Sequence, residues 1–561
     1  MSAADAAVDD DLVARATAWR DQDPDERTRD ELDRLLRASG SGDATATREL
    51  ADRFAGRLQF GTAGLRGELG AGPMRMNRVL VAQAAAGFAA FLVGREAEPS
   101  IVVGYDGRTN SDVFARDTVE IMAAAGVRAT LLPRALPTPV LAFAVRHLGT
   151  SAGVMVTASH NPPRDNGYKV YLGGEDDGSQ IVAPVDAAIA AQIEAAARSS
   201  VADLPRSDDW TSAGEEVVDE YVARTAALAG TSARGRQLRV VYTAMHGVGW
   251  EVARRVFARA GFTEPVPVAE QVAPDPAFPT VAFPNPEEPG ALDLSFATAE
   301  RVGADLVVAN DPDADRLAVA VPHAGSWRRL TGNEVGLLLG WRAAARAKAS
   351  GRTGALAASI VSSPGLHAVA ADHGLTAVDT LTGFKWVSRV DDLVYGYEEA
   401  LGYLVDPDKV RDKDGISAAV DLLALATELH DAGSSLVEHL EAFAERYGAH
   451  ASSQVSVRVE YLARIGELTA RLRQQPPTRI GSREVERVDD FLDGVDGFPP
   501  GDVQRFWLTD GSRVIVRPSG TEPKLKVYVD ASSTTGTAAE RLAAADAAVA
   551  DLEAGVRELL A

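Results

Sequence analysis

The sequence predicts an α/β protein with largely parallel sheets, followed by a smaller α+β region at its C-terminal end. Short apolar, β-branched runs alternate with Ala-rich helical stretches, which is the pattern of parallel strands covered by helices. Three strand-like runs, at residues 101–106, 238–246 and 355–363, are alike in character and suggest three similar α/β units. The C-terminal part differs, because strand-like pieces at 454–460 and 514–530 flank a helical pattern.

The length and the polar breaks predict the domain boundaries. At about 150 residues per domain, 561 residues correspond to three or four domains. Residues 1–50 predict a helical N-terminal arm. Candidate boundaries are the polar stretch 199–216, the loop 323–329 and the segment 447–453. The predicted domains, the first of which includes the arm, are residues 1–215, 216–328, 329–450 and 451–561.

The composition excludes several classes of protein. Lys and Arg number 57 against 80 Asp and Glu, a formal charge of −23, so the general attraction for nucleic acid or an anionic membrane is missing. The absence of cysteine excludes disulfides, Cys-ligated zinc and thiol nucleophiles. The acidic start lacks the pattern of a signal peptide, and no uncharged apolar run reaches about 18 residues. We therefore expect a cytoplasmic protein without nucleic-acid or membrane partners.

The segment NDPDADR at 310–316 predicts a site for a divalent metal. Its three carboxylates alternate after the apolar strand 306–309 and lie on one face of an extended chain: Asp311, Asp313 and Asp315. Close like charges need a cation among them, and oxygen ligands favour Mg²⁺. An EF-hand is excluded, because Arg316 and Pro322 stand where that loop needs Gly and Glu. A solvated acidic turn is the alternative, and the position at the carboxyl end of a strand disfavours it.

The segment TASHNP at 157–162 predicts a loop that presents Ser159 after the apolar run 153–156. Such a serine suits a nucleophile or a phosphoacceptor. An ordinary turn stays open as the alternative, because no G-x-S-x-G elbow surrounds Ser159. Lys169 follows closely and is a candidate proton donor or acceptor if desolvation lowers its pKa. A simply exposed lysine is the alternative.

Several loops carry basic or acidic groups that suit a phosphorylated ligand. The segment RPSGTEPK at 517–524 offers the parts of a phosphate cradle, with a hairpin turn as the alternative. The Gly-rich loop at 60–67 is no P-loop, because no Lys follows it, yet its Arg66 suits a phosphoryl group. TGFK at 382–385 adds a lysine to a chain that has only seven. The paired acids in GYEEALGY at 396–403 can hold sugar hydroxyls or form an exposed turn.

Taken together, these segments resemble the α-D-phosphohexomutase family, which includes phosphoglucomutases and phosphomannomutases. The motifs occur in the family's order and span nearly the whole chain: FGTAGLRG, TASHNP, DPDADR, TGFKW, GYEEALGY and RPSGTEPKLKVY. TAMHGVG at 243–249, TGFKW and EEALGY look most like the branch that holds bacterial phosphoglucomutases, phosphopentomutases and glucose-1,6-bisphosphate synthases. The resemblance implies three related α/β domains and an α+β domain around a central cleft. These would carry the phosphoserine, metal-binding, sugar-binding and phosphate-binding loops in turn.

The resemblance also implies roles for single residues. Ser159 would be the phosphoserine, and its phosphoryl oxygen would bind Mg²⁺ with Asp311, Asp313 and Asp315. The groups that face the transferring phosphoryl group would be Arg66 and Arg316, and the groups that move the sugar proton would be His160 and Lys169. The sugar would contact Thr382, Gly383, Lys385, Glu398 and Glu399. The phosphate that does not react would be held by Arg517, Ser519, Gly520, Thr521 and Lys524, with Lys413 assisting.

The expected activity is that of a phosphoglucomutase, which interconverts glucose 1-phosphate and glucose 6-phosphate with glucose 1,6-bisphosphate as intermediate and activator. Many members of the family carry Ser two positions after the sugar-binding Glu, where this chain has Ala400, so hexose selectivity is not inherited from them. The alternatives are a phosphomannomutase, a phosphopentomutase or a glucose-1,6-bisphosphate synthase. Outside the mutases they are a sugar-phosphate sensor or a Mg²⁺-dependent phosphatase. We expect a sugar monophosphate as substrate and a monomer or homodimer.

Overall fold

The computed structural model describes residues 10–62, 64–230, 238–458, 462–518 and 524–560. Contacts within the chain divide it into two compact units. Unit 1 holds residues 1–329 and 406–424, and unit 2 holds residues 330–405 and 425–561. The division into four domains stays a prediction.

Unit 1 begins with a helical arm: α1 Asp10–Gln22, α2 Glu26–Gly40 and α3 Ala44–Arg53. Asp25 and Asp43 cap the second and third helices by accepting hydrogen bonds from backbone N–H groups of the first turn. Leu32 and Leu50 are fully buried, in a cluster that also holds Val79 of the following helix. The arm is thus packed onto the first α/β layer rather than standing apart.

The first sheet of unit 1 has the strand order β1-β5-β4-β2-β3-β7, with β6 paired to β5. β2, β3 and β4 are parallel, whereas β5 is antiparallel to β4. The strands are β1 Leu65–Glu68, β2 Ser100–Tyr105, β3 Arg128–Leu131, β4 Ala152–Val156, β5 Asp165–Leu172, β6 Ser179–Gln180 and β7 Thr211–Ser212. The helices of this part are α4 Arg78–Arg95, α5 Ser111–Ala124, α6 Thr138–His147 and α7 Val185–Ala196.

The second sheet of unit 1 has the order β12-β11-β10-β8-β9. β8, β9 and β10 are parallel, and β11 is antiparallel to β10. The strands are β8 Val240–Thr243, β9 Val266–Pro267, β10 Leu306–Asn310, β11 Leu317–His323 and β12 Ser326–Arg329. The helices are α8 Glu216–Ala227, α9 Gly249–Ala260 and α10 Asp293–Val302.

The third sheet lies in unit 2 and has the order β14-β13-β15-β16. β13, β14 and β15 are parallel, and β16 is antiparallel to β15. The strands are β13 Ala355–Ser359, β14 Thr376–Thr380, β15 Leu393–Glu398 and β16 Gly402–Leu404. The helices from here to the fourth sheet are α11 Gly332–Ser350, α12 Gly365–His373, α13 Phe384–Val387, α14 Gly415–Asp431 and α15 Leu436–Tyr447.

These three sheets share one topology. In each, the first parallel strand lies between the second and the third, and an antiparallel strand pairs with the outer side of the third. The first strands are β2, β8 and β13, which correspond to the three similar runs of the sequence. The α/β fold class and the suggestion of three similar units are therefore confirmed.

The fourth sheet is antiparallel throughout, in the order β17-β22-β21-β20-β19-β18. Its strands are β17 Ala449–Arg458, β18 Arg479–Ile480, β19 Arg483–Asp490, β20 Gln504–Leu508, β21 Arg513–Pro518 and β22 Lys524–Ser533, and its helices are α16 Leu462–Gln474 and α17 Ala538–Leu560. The predicted run 514–530 is therefore two strands, with residues 519–523 between them outside the described part of the chain. The sequence analysis missed β19, because most of its side chains are charged and exposed and hide the alternation of a half-buried strand.

Among the described residues, α4 is the one helix long and apolar enough to cross a membrane by composition. The fold buries 61 % of that helix, including Leu80 and Phe88 in the core of the first sheet. A core helix satisfies the same criterion, so α4 is weak evidence for a membrane span.

Candidate functional site

Three loops of unit 1 meet, and each follows the carboxyl end of a parallel strand, two in the first sheet and one in the second. The Ser159 loop follows β4, the acidic loop follows β10, and a turn with Arg108 follows β2. Ser159 and Ala314 adopt left-handed backbone conformations, with φ of 53° and 54°. Such conformations cost free energy and are concentrated at functional loops. In α/β sheets, ligands bind at this edge.

The acidic triad of Asp311, Asp313 and Asp315 is fully buried, with one oxygen of each within 4.8 Å of the others. Within the described part of the chain, Asp313 Oδ1 and Asp315 Oδ1 have no hydrogen-bond partner. Buried carboxylate oxygens without partners are costly, and a hard divalent cation is the ligand that such a set suits. The residues present therefore fit a metal ion.

The three carboxyls differ in their electrostatics. Burial raises the pKa of Asp311 well above its usual value, and the charges of Asp313 and Asp315 add to the effect. Burial also acts on Asp313 and Asp315, but Lys169 outweighs it and their pKa values are lowered. Two of the three carboxylates are thus held ionised by a buried lysine, whereas the pKa of Asp311 stays raised.

Ser159 lies directly at the triad. Its Oγ is 2.9 Å from Asp311 Oδ2, to which it donates a hydrogen bond, and 3.1 Å from His160 Nδ1. Burial lowers the pKa of His160 well below its usual value, and Arg316 and Arg66 lower it further. The imidazole is therefore neutral near pH 7. A hydroxyl beside a carboxylate and a neutral imidazole can accept or release a group while a proton moves locally.

Two lysines reach the triad from different segments. Lys169 Nζ lies 2.8 Å from Asp313 Oδ2 and 3.0 Å from Asp315 Oδ2. Lys413 Nζ lies 3.3 Å from Asp315 Oδ2. Burial lowers the pKa of Lys169, but Asp313 and Asp315 outweigh it, so that the pKa is raised. The sequence analysis made Lys169 a candidate proton donor or acceptor on the condition that desolvation lowers its pKa. This condition is not met.

The two predicted phosphoryl-facing arginines also lie in this part of unit 1. Arg66, on β1, donates from Nη1 to Asn161 Oδ1 at 3.2 Å. Arg316 donates its backbone N–H to Asp311 Oδ1 at 3.0 Å, and its Nε lies 3.8 Å from Asp315 Oδ1. Burial lowers the pKa of Arg66, and the charge of Arg316 lowers it further. Two close guanidinium groups that repel each other are stabilised when an anion binds between them.

Arg108 is a residue of this site that the sequence analysis missed. Its guanidinium, buried beneath the Ser159 loop, donates to the backbone carbonyls of Ser159, Asn161, Pro162 and Asp165, at 2.6–3.1 Å. Asp106 accepts from Thr157 Oγ1 at 2.6 Å, and Thr157 Oγ1 accepts from Ser159 N at 2.8 Å. The sequence feature that could have revealed Arg108 is the polar turn YDGR at 105–108. This turn follows β2, which pairs with β4, the strand before the TASHNP motif.

Asp412 is a second residue that the sequence analysis missed. It is fully buried and accepts hydrogen bonds from Tyr171 Oη at 2.8 Å and Gln180 Nε2 at 2.6 Å. Its other oxygen lies 3.1 Å from Lys413 Nζ and also accepts from Lys413 N. Asp412 thus orients the lysine that reaches Asp315. No sequence motif marked it, because its partners are distant along the chain.

The predicted sugar-binding residues form two neighbouring loops of unit 2. Glu398 Oε1 accepts from Gly383 N at 2.6 Å, which joins the loop of Thr382, Gly383 and Lys385 to the end of β15. Glu399 Oε2 accepts from Ser359 Oγ at 3.2 Å and from Ser362 Oγ at 3.1 Å. Glu399 is thus tied to the turn after β13.

The predicted phosphate-binding residues are described only in part. Arg517, near the end of β21, and Lys524, at the start of β22, flank the undescribed stretch. The other three predicted residues lie outside the described residues: Ser519, Gly520 and Thr521. Tyr528 on β22 is buried, and its pKa is raised by burial and by the charge of Glu399, with Arg517 opposing. Tyr528 therefore lies within electrostatic range of both predicted binding regions of unit 2.

Four family models match the chain in order. Their descriptions are phosphoglucomutase/phosphomannomutase alpha/beta/alpha domain I at residues 57–199, domain II at 219–325 and domain III at 331–447, and the C-terminal domain at 464–549. Together they cover most of the sequence.

Individual relatives match over most of their length as well. A Haemophilus influenzae protein named "Probable phosphomannomutase" is 53 % identical over 87 % of this chain and 98 % of its own. The phosphopentomutase of Mus musculus is 35 % identical over 87 % of this chain and 86 % of its own. The crystal structure of a phosphoglucomutase/phosphomannomutase family protein from Burkholderia thailandensis superposes with a TM-score of 0.65, at 20 % identity, over 89 % of this chain and 97 % of its own.

Proposed function

The chain belongs to the phosphoglucomutase/phosphomannomutase family and is an isomerase of the phosphohexomutase type, and within this family we propose that it interconverts glucose 1-phosphate and glucose 6-phosphate. The observation that carries the proposal is the hydroxyl of Ser159, buried and 2.9 Å from Asp311 in an acidic triad with unpaired oxygens. This arrangement suits a serine that carries a phosphoryl group beside a divalent metal.

The three aspartates and Ser159 would hold Mg²⁺. When bound, the ion supplies Lewis-acid chemistry, which stabilises charge on a transferring phosphoryl group. Lys169 keeps Asp313 and Asp315 ionised for this purpose.

In the proposed reaction the phosphoryl group on Ser159 Oγ passes to a hydroxyl of the sugar monophosphate. The bond from phosphorus to Oγ breaks as the bond to the sugar oxygen forms, and the hydroxyl proton leaves to a base. His160 is the proposed base, because its imidazole is neutral and lies beside Ser159 Oγ. Arg66 and Arg316 supply fixed positive charge for the phosphoryl oxygens. The reverse transfer from the other phosphate of the bisphosphorylated sugar returns the phosphoserine.

Residues of unit 2 are proposed to bind the rest of the substrate. Glu398, which joins two loops through Gly383, would accept hydrogen bonds from sugar hydroxyls, with Thr382, Lys385 and Glu399 beside it. The phosphate that does not react would bind to residues of the segment RPSGTEPK at 517–524: Arg517, Ser519, Gly520, Thr521 and Lys524. Glucose 1,6-bisphosphate would serve as intermediate and as activator.

Glucose phosphate is proposed first because TAMHGVG, TGFKW and EEALGY resemble the branch with bacterial phosphoglucomutases. Mannose phosphate is the second candidate, because the Haemophilus relative carries that name, and pentose phosphates are the third, because of the mouse relative. A glucose-1,6-bisphosphate synthase would require a separate acyl-phosphate donor.

The test is a coupled assay with Mg²⁺ and a trace of glucose 1,6-bisphosphate, in which kcat/KM is compared for glucose 1-phosphate, mannose 1-phosphate and ribose 1-phosphate. We expect the highest kcat/KM with glucose 1-phosphate. Ser159→Ala should abolish turnover, whereas Ser151→Ala, just before the other end of β4, should not. A preference for another sugar would replace glucose in the proposal. Turnover retained in Ser159→Ala, or phosphate release without isomerisation, would overturn the mutase mechanism.

A further inference from the structure

The segment TAMHGVG at 243–249 contains two consecutive non-glycine residues in the left-handed region, Met245 at φ 48° and His246 at φ 59°. Both side chains are buried. A left-handed backbone conformation is tolerated by His but costs free energy for a residue such as Met. The surrounding structure must therefore enforce it. The proposed reaction gives no role to this segment.

The residues directly after Met245 and His246 are in close contact with the metal-binding loop. β8 and β10 are parallel neighbours, so the segments after them leave the sheet side by side. A Cβ on Gly247 would lie 2.2 Å from Pro312 Cα and from Pro312 O, which permits only glycine there. Val248 N donates a hydrogen bond to Pro312 O at 2.9 Å. Pro312 stands between Asp311 and Asp313, two of the proposed metal ligands.

A chain of hydrogen bonds encloses the strained residues Met245 and His246. Met245 N donates to Thr243 Oγ1 at 3.0 Å, and Thr243 Oγ1 donates to Gln271 Oε1 at 2.6 Å. Gln271 Nε2 then donates to Thr280 Oγ1 at 2.9 Å, and Thr280 Oγ1 lies 2.8 Å from His246 Nε2. Thr280 Oγ1 accepts from Gln271 and retains one proton and one lone pair, so it can donate to His246 Nε2 or accept from it, according to the tautomer of the imidazole. The chain therefore begins at Met245 and ends at the side chain of His246.

The backbone strengthens the same enclosure. His246 N donates to Gln271 O at 2.9 Å, and Asp275 N donates to His246 O at 3.0 Å. Gln271 thus holds His246 through its carbonyl and, by way of Thr280, through its side chain. We call this set, Thr243, Met245, His246, Gln271 and Thr280, the His246 clasp.

We propose that His246 is a positioning residue for the metal site, held by Gln271 and Thr280 so that Gly247 and Val248 fix Pro312 between two of the metal ligands. The inference rests on the proposed function, because it assigns a role toward the divalent ion of that function. Hydrogen-bonded groups behind the ligands of a metal orient those ligands and set the affinity of the site. The clasp acts one step further out, through the backbone of the metal-binding loop.

Thr280 allows a sharp test, because its side chain is exposed and lies outside the proposed catalytic machinery. Thr280→Val preserves the shape of the side chain but removes the hydroxyl that links Gln271 to His246. Thr280→Ser retains the hydroxyl and is the matched control. The measurement is the dissociation constant of Mn²⁺, by electron paramagnetic resonance, on full-length protein shown by intact mass to carry no phosphoryl group.

We expect Mn²⁺ to bind about 10-fold more weakly to Thr280→Val than to wild type, with wild-type affinity in Thr280→Ser and similar thermal midpoints in both variants. In turnover assays the Mg²⁺ concentration for half-maximal rate should rise in Thr280→Val, while kcat at saturating Mg²⁺ changes little. His246→Asn, which tolerates the left-handed backbone but does not reach Thr280, should weaken Mn²⁺ binding similarly.

Wild-type Mn²⁺ affinity in both Thr280→Val and Thr280→Ser would overturn the inference and leave the proposed function standing. A loss of affinity accompanied by an equal loss in Thr280→Ser would also overturn it, because the hydroxyl would not be the cause. Failure of the wild-type chain to bind Mn²⁺ would overturn the metal site itself, and with it both proposals.

Discussion

The guanidinium of Arg108 donates a hydrogen bond of 2.6 Å to the backbone carbonyl of Ser159. The same guanidinium binds three further carbonyls of that loop, and its carbon lies 5.0 Å from the ring centre of Phe278. A planar group with five donors can hold four carbonyls at once, and an ammonium group cannot. The backbone position of the proposed phosphoserine therefore depends on an arginine from a neighbouring strand.

Arg108→Lys should lower kcat by about 100-fold, because the lysine retains the charge but not the fork that aligns the Ser159 loop. The KM for the sugar phosphate should change much less, since the proposed sugar-binding residues belong to other loops. Steady-state kinetics gives both constants, and intact mass spectrometry gives the fraction of phosphorylated Ser159. Arg116→Lys, on the exposed face of α5, is the control and should behave as wild type. A kcat within twofold of wild type would contradict the positioning role of Arg108.

Lys409→Met should destabilise unit 1 strongly. Lys409 Nζ is fully buried, 2.8 Å from Asp414 Oδ2, and also contacts the hydroxyl groups of Thr225 and Ser417. Removing one partner of a buried ion pair leaves the other uncompensated and typically costs about 3–5 kcal/mol. The free energy of unfolding in urea measures the loss. Lys348→Met, on an exposed lysine of α11, should change it by less than about 0.5 kcal/mol.

The double variant Lys409→Met/Asp414→Asn should recover part of that loss, because the second change removes the unpaired charge. Equal destabilisation in the single and the double variant would show that packing, not the charge of Asp414, determines the loss.

The stability of unit 2 should fall in mild acid because of His450. Burial lowers the pKa of this imidazole to about 4, whereas an unfolded chain has the ordinary histidine value. Between about pH 6.5 and pH 4 the unfolded state binds the extra proton, so the free energy of unfolding falls as the pH falls. The contribution is fully present above that range and amounts to about 3 kcal/mol at most.

His450→Gln should flatten this dependence, and urea unfolding between those pH values measures it. His323→Gln, at an exposed position, is the control and should keep the slope of the wild type. If His450→Gln loses stability as steeply as wild type toward pH 4, protonation of His450 is not the cause.

Glu398→Gln should lower kcat/KM for the sugar phosphate by about 10-fold or more, because a neutral amide accepts hydrogen bonds from Gly383 and from sugar hydroxyls less strongly than a carboxylate. Glu399→Gln should have a smaller effect on kcat/KM, since Ser359 and Ser362 already bind the carboxylate of Glu399. The comparison uses the three sugar phosphates of the coupled assay. A larger loss in Glu399→Gln than in Glu398→Gln would exchange the roles of the two acids.

The fold and the site were predictable where the chain encodes them locally. β2, β8 and β13 are buried apolar runs, and their likeness in the sequence reflects one topology used three times. The triad and Ser159 stand in short motifs directly after strands, so their position at the sheet edge follows from the order of elements. Patterns of this kind are read from a few neighbouring residues.

The remainder depends on contacts between distant segments. Asp412 becomes a partner of Tyr171 and Gln180 only when the chain returns to unit 1 after residue 405. The raised pKa of Lys169 follows from two carboxylates more than a hundred residues away, which outweigh the lowering effect of burial. Such effects become visible only with the tertiary arrangement.

The return of residues 406–424 to unit 1 has a consequence for the order in which the protein is made. A ribosome that has released residues 1–329 has supplied the triad, Ser159 and Lys169, but neither Lys413 nor Asp412. Domains of a nascent chain generally fold as they emerge. Here the first unit must wait for the third sheet to be synthesised before its own site is complete. Neither unit can therefore be expressed as one uninterrupted fragment, and a gene cut after residue 329 would yield an unfinished site.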